Sequence, residues 1–67
     1  MYNNKRGGLG MEVQEIIDSY TNGNISASCK QIESIGMYYF FNELRIRDDK
    51  SLYIRISLTL MYYLENK

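Results

Sequence analysis

The chain has 67 residues, 45% of them hydrophobic, with eight basic and eight acidic side chains and a net charge of zero. It carries no His, no Trp, no Pro and one Cys, which excludes an internal disulfide and leaves zinc without a credible ligand set. The usual base of nucleophile–base catalysis is absent, and neutrality argues against a nonspecific polyanion binder, though not against a local basic face. At this length there is room for one small domain, burying only about 60% of the surface its unfolded chain exposes.

Residues 1–10 show no periodicity and hold Gly7, Gly8 and Gly10 close together. They read as a disordered arm, or as translated leader ahead of a start at Met11, since Arg6-Gly7-Gly8 can be encoded by a ribosome-binding sequence. Alternatively, Lys5 and Arg6 form a minor-groove arm. The folded domain is then 11–67. Its first helix is marked by Val13, Ile16, Ile17 and Tyr20, an i, i+3, i+4, i+7 stripe with Glu12 and Glu15 in the first turn. Thr21-Asn22-Gly23 ends it, with Gly23 suited to a left-handed cap.

Asn24 and Ser26 are both good N-caps, so a second helix is expected at once, with Ile25, Cys29 and Ile32 inward and Lys30, Gln31 and Glu33 outward. Ser34-Ile35-Gly36 stops it. A third helix over Met37–Arg47 places Phe40, Phe41 and Leu44 on one side and Tyr38, Asn42 and Arg45 on another.

The last third supports two readings. Leu52, Ile54, Ile56, Leu58 and Leu60 alternate with Tyr53, Arg55, Ser57 and Thr59, a strand pattern. With Leu44–Arg47 ahead of Asp48-Asp49-Lys50, it would make an α+β fold with a hairpin at 42–58. Equally, Asp49 or Ser51 can cap a helix in which Leu52, Ile56, Leu60 and Tyr63 hold helical spacing. The longest uninterrupted apolar runs, Met37–Phe41 and Leu60–Leu64, are far short of the roughly 20 residues of a membrane span. With a single thiol, the expectation is a cytoplasmic protein.

Enzyme chemistry finds little support. Glu12, Glu15, Asp48 and Asp49 are accounted for as helix caps and solvated charges, and Cys29 sits on an apolar line where a thiol is inert packing. Gly7-Gly8-Leu9-Gly10 lacks the strand before it and the Gly-Lys-Ser/Thr after it that a phosphate loop needs. No cofactor is expected. Three short helices in succession do match the helix-turn-helix plan, with Met37–Arg47 as recognition helix. Tyr38, Asn42 and Arg45 would then meet base edges, while Lys30, Arg47 and Lys50 meet phosphate.

Glu15-Ile16-Ile17, Tyr20–Asn24, Ser28–Ile32 and Phe40–Arg45 together resemble the helix-turn-helix region of small terminase subunits of tailed phages, and also transposase-type domains of the same plan. The resemblance spans about 12–65 and implies a helix after the recognition helix, over Leu52–Glu65. It departs where Glu43 stands in place of a recognition-helix Trp and where Met37-Tyr38-Tyr39 replaces a Ser/Thr-rich start. Amino acids with AT-rich codons (Phe, Tyr, Met, Ile, Asn, Lys) fill 31 positions against 10 for Gly, Ala, Arg and Pro, which points to a very AT-rich gene.

The expected fold is thus an all-α bundle of about four short helices with helix-turn-helix character. The expected function is non-enzymatic DNA binding in a phage or mobile-element setting. The alternative on the same bundle is a protein–protein module that binds and inhibits or adapts a host complex, using Tyr38, Tyr39, Tyr53, Tyr62 and Tyr63. Nine aromatics in so short a chain suggest a homodimer through the C-terminal segment, with Tyr62 and Tyr63 in the interface. Ile16, Ile17, Ile32, Phe41, Leu44, Ile56 and Leu60 are the expected core.

Overall fold

The computed structural model describes the backbone of residues 2–67 and the side chains of residues 12–67. The side chains of the arm expected over 1–10, Lys5 and Arg6 among them, lie outside the described residues, and because α1 begins at Tyr2, Glu12 and Glu15 lie in its second half rather than in its first turn. The chain runs through four helices, α1 (Tyr2–Thr21), α2 (Ile25–Ile35), α3 (Met37–Arg47) and α4 (Lys50–Glu65), with no strand among the described residues.

Each break falls where the backbone leaves helical space. Gly23 adopts φ +93°, and the N–H groups of Gly23 and Asn24 donate to the carbonyls of Tyr20 and Ser19 at 3.1 and 2.9 Å. Those two bonds are the Schellman end of α1. Gly36 alone, at φ +109°, separates α2 from α3. A side chain there would meet ordinary contact distances but a strained backbone, so the turn depends on glycine for conformation rather than for space. Asp48 closes α3 in the left-handed region at φ +62°, a conformation Asp tolerates better than most residues. The next residue, Asp49, caps α4: its carboxylate accepts from the Leu52 N–H at 3.1 Å.

The hairpin alternative at 42–58 is therefore replaced by the end of α3, a tight turn and a continuous α4. The alternation that suggested a strand has a helical origin. At about 100° per residue, Leu52, Ile56 and Leu60 cluster on one face while Ile54 and Leu58 lie nearly opposite. The first three are buried and the second two are more than half exposed. Alternate residues on a helix with apolar side chains on both faces read like one face of a strand.

α2 is the centre of the packing: it contacts α1, α3 and α4, while α3 lies against α4. Its inward line is Ser28, Cys29 and Ile32, all buried. The small Ser28 and Cys29 side chains leave space for the larger ones from its neighbours, and Ser28 Oγ donates to the Ile25 carbonyl at 2.7 Å. Val13 and Ile16 from α1, Phe40 and Leu44 from α3, and Leu52, Ile56 and Leu60 from α4 complete the core. A polar tie joins the chain's two long helices. Thr59 gives its single hydroxyl hydrogen to the Arg55 carbonyl at 2.8 Å, so Tyr20 Oη donates to Thr59 Oγ1 at 3.1 Å.

Three inward expectations are corrected: Ile25, expected to face inward on α2, is exposed, and two further residues sit at the core's margin. Phe41 and Ile17 are only partly buried and pack against the core from its edge, whereas Phe40 and Val13 have no exposed surface. Phe40 and Leu44, four residues apart, point at α2. Phe41 is turned about 100° away from Phe40, into the α3–α4 crevice.

Phe40→Ala should lose about 3–5 kcal/mol in urea unfolding, approaching the whole stability of so small a domain. Phe41→Ala should cost clearly less. Equal losses would mean that the two rings share the core.

Candidate functional site

The residues singled out from sequence fall into three groups. Tyr38, Asn42 and Arg45 do share a solvent face of α3, with Tyr38 94% exposed. Helical spacing puts them there, since Phe40 and Leu44 take the opposite side into the core. Arg45 Nη2 donates to Asn42 Oδ1 at 3.0 Å, so the two proposed base-reading groups are bonded to each other. Arg47 is drawn sideways to α1, where its Nη1 donates to Gln14 Oε1 at 2.8 Å. The same Gln14 donates through Nε2 to Asp18 at 3.0 Å. Lys50 is exposed at the start of α4, and Lys30 is exposed on α2.

Charge around the α3–α4 turn is balanced. Arg45, Arg47 and Lys50 are interleaved with Glu43, Asp48 and Asp49 over eight residues. A phosphate backbone is recognised by a net positive face that displaces counterions, and this segment has no such excess.

The tyrosines separate by burial. Tyr39 and Tyr63, expected at a protein interface, are partly buried and pack against the core. The Tyr63 ring has the Lys67 ammonium 5.9 Å from its centroid, and Lys67 forms a 2.7 Å ion pair with Glu33 on α2. That pairing raises the Lys67 pKa above its ordinary value. Tyr53 is also partly buried, meeting Phe41 edge to face at a centroid distance of 5.3 Å. Phe41 in turn meets Phe40 in the same manner at 5.4 Å. Tyr62 alone of the α4 tyrosines points outward, 70% exposed.

Tyr53 is the common wall of three adjoining depressions along the α3–α4 crevice. One is bounded by Gly36, Met37, Tyr38, Phe41 and Ser57, and the next by Tyr38, Phe41, Asn42 and Arg45. The third, about 260 Å³ and almost wholly apolar, lies between Leu44, Arg45 and the turn on one side and Ile54 on the other. All three are open to solvent. Together they form a shallow aromatic groove rather than an enclosed pocket, a shape suited to a polypeptide surface more than to a small molecule. Among the described residues no three His, Cys, Asp or Glu side chains converge as a metal site would require, and no helix is long and apolar enough to cross a membrane.

Sequence reasoning missed Met37, Ile54, Leu58 and Met61 as surface residues, although all four are 41–61% exposed. For Ile54 and Leu58 the signal was present in the alternation over 52–60, which places apolar side chains on both sides of α4.

Cys29, the one thiol, is buried beside Ser28. Burial pushes its pKa above the ordinary 9.0, with a smaller push from the Glu33 carboxylate, while the neighbouring Ser28 hydroxyl acts in the opposite direction. The side chain is held as a neutral thiol and is unsuited to nucleophilic work. No protein-family model, curated protein or solved structure matches the chain.

The Cys29 shift has a signed consequence for stability. Below 9.0 the thiol is protonated in both folded and unfolded chains, and its contribution is fully present. Above 9.0 the unfolded chain ionises first, so this contribution is lost as pH rises towards the higher folded-state value. Urea titrations from pH 8 to 10.5 should show a loss of stability that is smaller in Cys29→Ala. An identical pH profile in the variant would remove Cys29 as a source.

Proposed function

We propose that this chain is a small non-enzymatic protein-interaction module of a phage or mobile-element type, which takes an apolar segment of a host protein into the groove between α3 and α4. The observation that carries this reading is the open aromatic groove around Tyr53, with Tyr38 at its rim. Tyr38 contributes almost nothing to the fold at 94% exposure, yet it extends the apolar wall begun by Met37 and Phe41. Tyr, Phe and Met are enriched where proteins bury surface against one another, and Tyr offers large contact area at low entropy cost. Arg45, fixed by Asn42 at the groove's middle, supplies a directed donor for a backbone carbonyl or side chain of the occupant. The occupant that fits is one face of an amphipathic helix or an extended apolar strip.

DNA binding retains one favourable observation, the shared exposure of Tyr38, Asn42 and Arg45 on one helix face. The terminase-like pattern adds the order of short helices. The balanced charge of 43–50 and the internal pairing of Arg45 and Arg47 weigh against it.

A photo-crosslinking amino acid at position 38, expressed in the bacterial host, should give one discrete protein adduct. The same group at position 30, on α2 and outside the groove, should give none. Tyr38→Ala should keep its stability within about 0.5 kcal/mol, as an exposed side chain does, while losing the partner. Fluorescence anisotropy against duplex DNA should show no binding that survives moderate salt. A specific duplex complex that does survive, and that Arg45→Ala abolishes, would reverse the assignment in favour of DNA.

A further inference from the structure

We infer that the outer face of α4 is the contact surface for a second copy of this chain, pairing α4 with α4 in antiparallel orientation. This goes beyond the groove, with which the face shares only Ile54 at its edge. The observation is the stripe formed by Ile54, Leu58 and Met61, each 56–61% exposed, with Tyr62 beside them at 70%. On a helix at about 100° per residue these side chains lie on the side opposite the buried Ile56. Residues 54, 58, 61 and 65 follow the alternating 4-3-4 spacing of a coiled-coil seam.

A helix that packs Leu52, Ile56 and Leu60 inward and also carries three large apolar side chains outward is apolar on both sides. A surface helix of a monomer places polar residues opposite its buried line, whereas here that position is held by Ile54, Leu58 and Met61. Within the described residues nothing from α1, α2 or α3 covers the outer stripe.

Charge along the stripe selects a second copy and its direction. The beginning of α4 carries Lys50 and Arg55 beside the seam, and its end carries Glu65 on the seam itself. A parallel pair would set Glu65 against Glu65 and bring Lys50 and Arg55 of one helix near those of the other. An antiparallel pair about a two-fold axis brings each Glu65 to the partner's basic end, where the helix dipole also favours an acid. Leu58 then lies close to the axis, with Ile54 and Met61 on either side of it. The face is thus complementary to itself in one orientation only. Two helices of 16 residues make a small interface, so the pairing belongs to the weak, concentration-dependent class.

Sedimentation velocity of the full chain from about 1 to 500 μM, covering the weak-dimer range, tests this. The wild type should pass from monomer to dimer. Leu58→Asp, which changes only the outer face, should raise the dissociation constant by more than about tenfold with the helical circular dichroism retained. If Leu58→Asp does not fold, Met61→Lys carries the same test. Glu65→Lys should weaken the dimer, and Lys50→Glu with Glu65→Lys in one chain should restore it. A wild type that stays monomeric throughout, or a dimer indifferent to both Leu58→Asp and Met61→Lys, overturns the assignment of this face. A dimer that Leu58→Asp disrupts but the double charge swap fails to restore overturns the antiparallel arrangement.

Discussion

The insertion of Leu52, Ile56 and Leu60 from α4 into the layer made by Cys29, Ile32, Phe40 and Leu44 governs how the rest of the molecule can be arranged. With α2 only 11 residues long, its short inner line must serve three neighbours at once. Ser28 and Cys29 make that possible because they are small and have their polar requirements met locally. Once α4 lies along this layer, Phe41 and Tyr53 meet at the crevice and the two sides of α4 are decided. What faces the core is covered, and what faces away has no element of the described chain to cover it.

Much of this was legible in the residues because local signals agreed with the packing. The Asn22-Gly23 end of α1, the Gly36 break and the Asp49 cap were each readable from the backbone conformation their residue types favour. The stripe Val13, Ile16, Ile17, Tyr20 marked the inward face of α1, although the structure ranks Ile17 at its margin. Two adjacent phenylalanines could not be ranked from spacing, since a rotation of α3 by one residue, about 100°, exchanges Phe40 and Phe41. That rotation is set by where α2 and α4 lie. For residues 52–60 the difficulty was different in kind. Period-2 alternation is the expected mark of a strand, but a helix apolar on opposite faces produces it too. Tertiary contact decides between them.

The exposed face of α3 was legible as a face, and its partners were not. Sequence spacing grouped Tyr38, Asn42 and Arg45, but the hydrogen bond from Arg45 to Asn42 and that from Arg47 to Gln14 depend on side-chain geometry and on α1. Those bonds hold two cationic side chains in place, and the balance of charge comes from Glu43, Asp48 and Asp49 around them. Tyr39 and Tyr63 belong to the core margin, so the surface available to a partner is narrower and more apolar than a count of tyrosines suggests. It consists of the Tyr38–Tyr53 groove and the outer stripe of α4, which meet at Ile54.

The two-sidedness of α4 is the claim on which this account rests, and methyl NMR reads it most directly. Nuclear Overhauser contacts should connect Leu52, Ile56 and Leu60 with Ile32, Leu44 and the Phe40 ring, alongside helical carbon shifts from 51 to 65. Ile54 and Leu58 should show no contact with those core groups within the same molecule. Strand-type shifts over 52–60, or core contacts from Ile54 and Leu58, would contradict it.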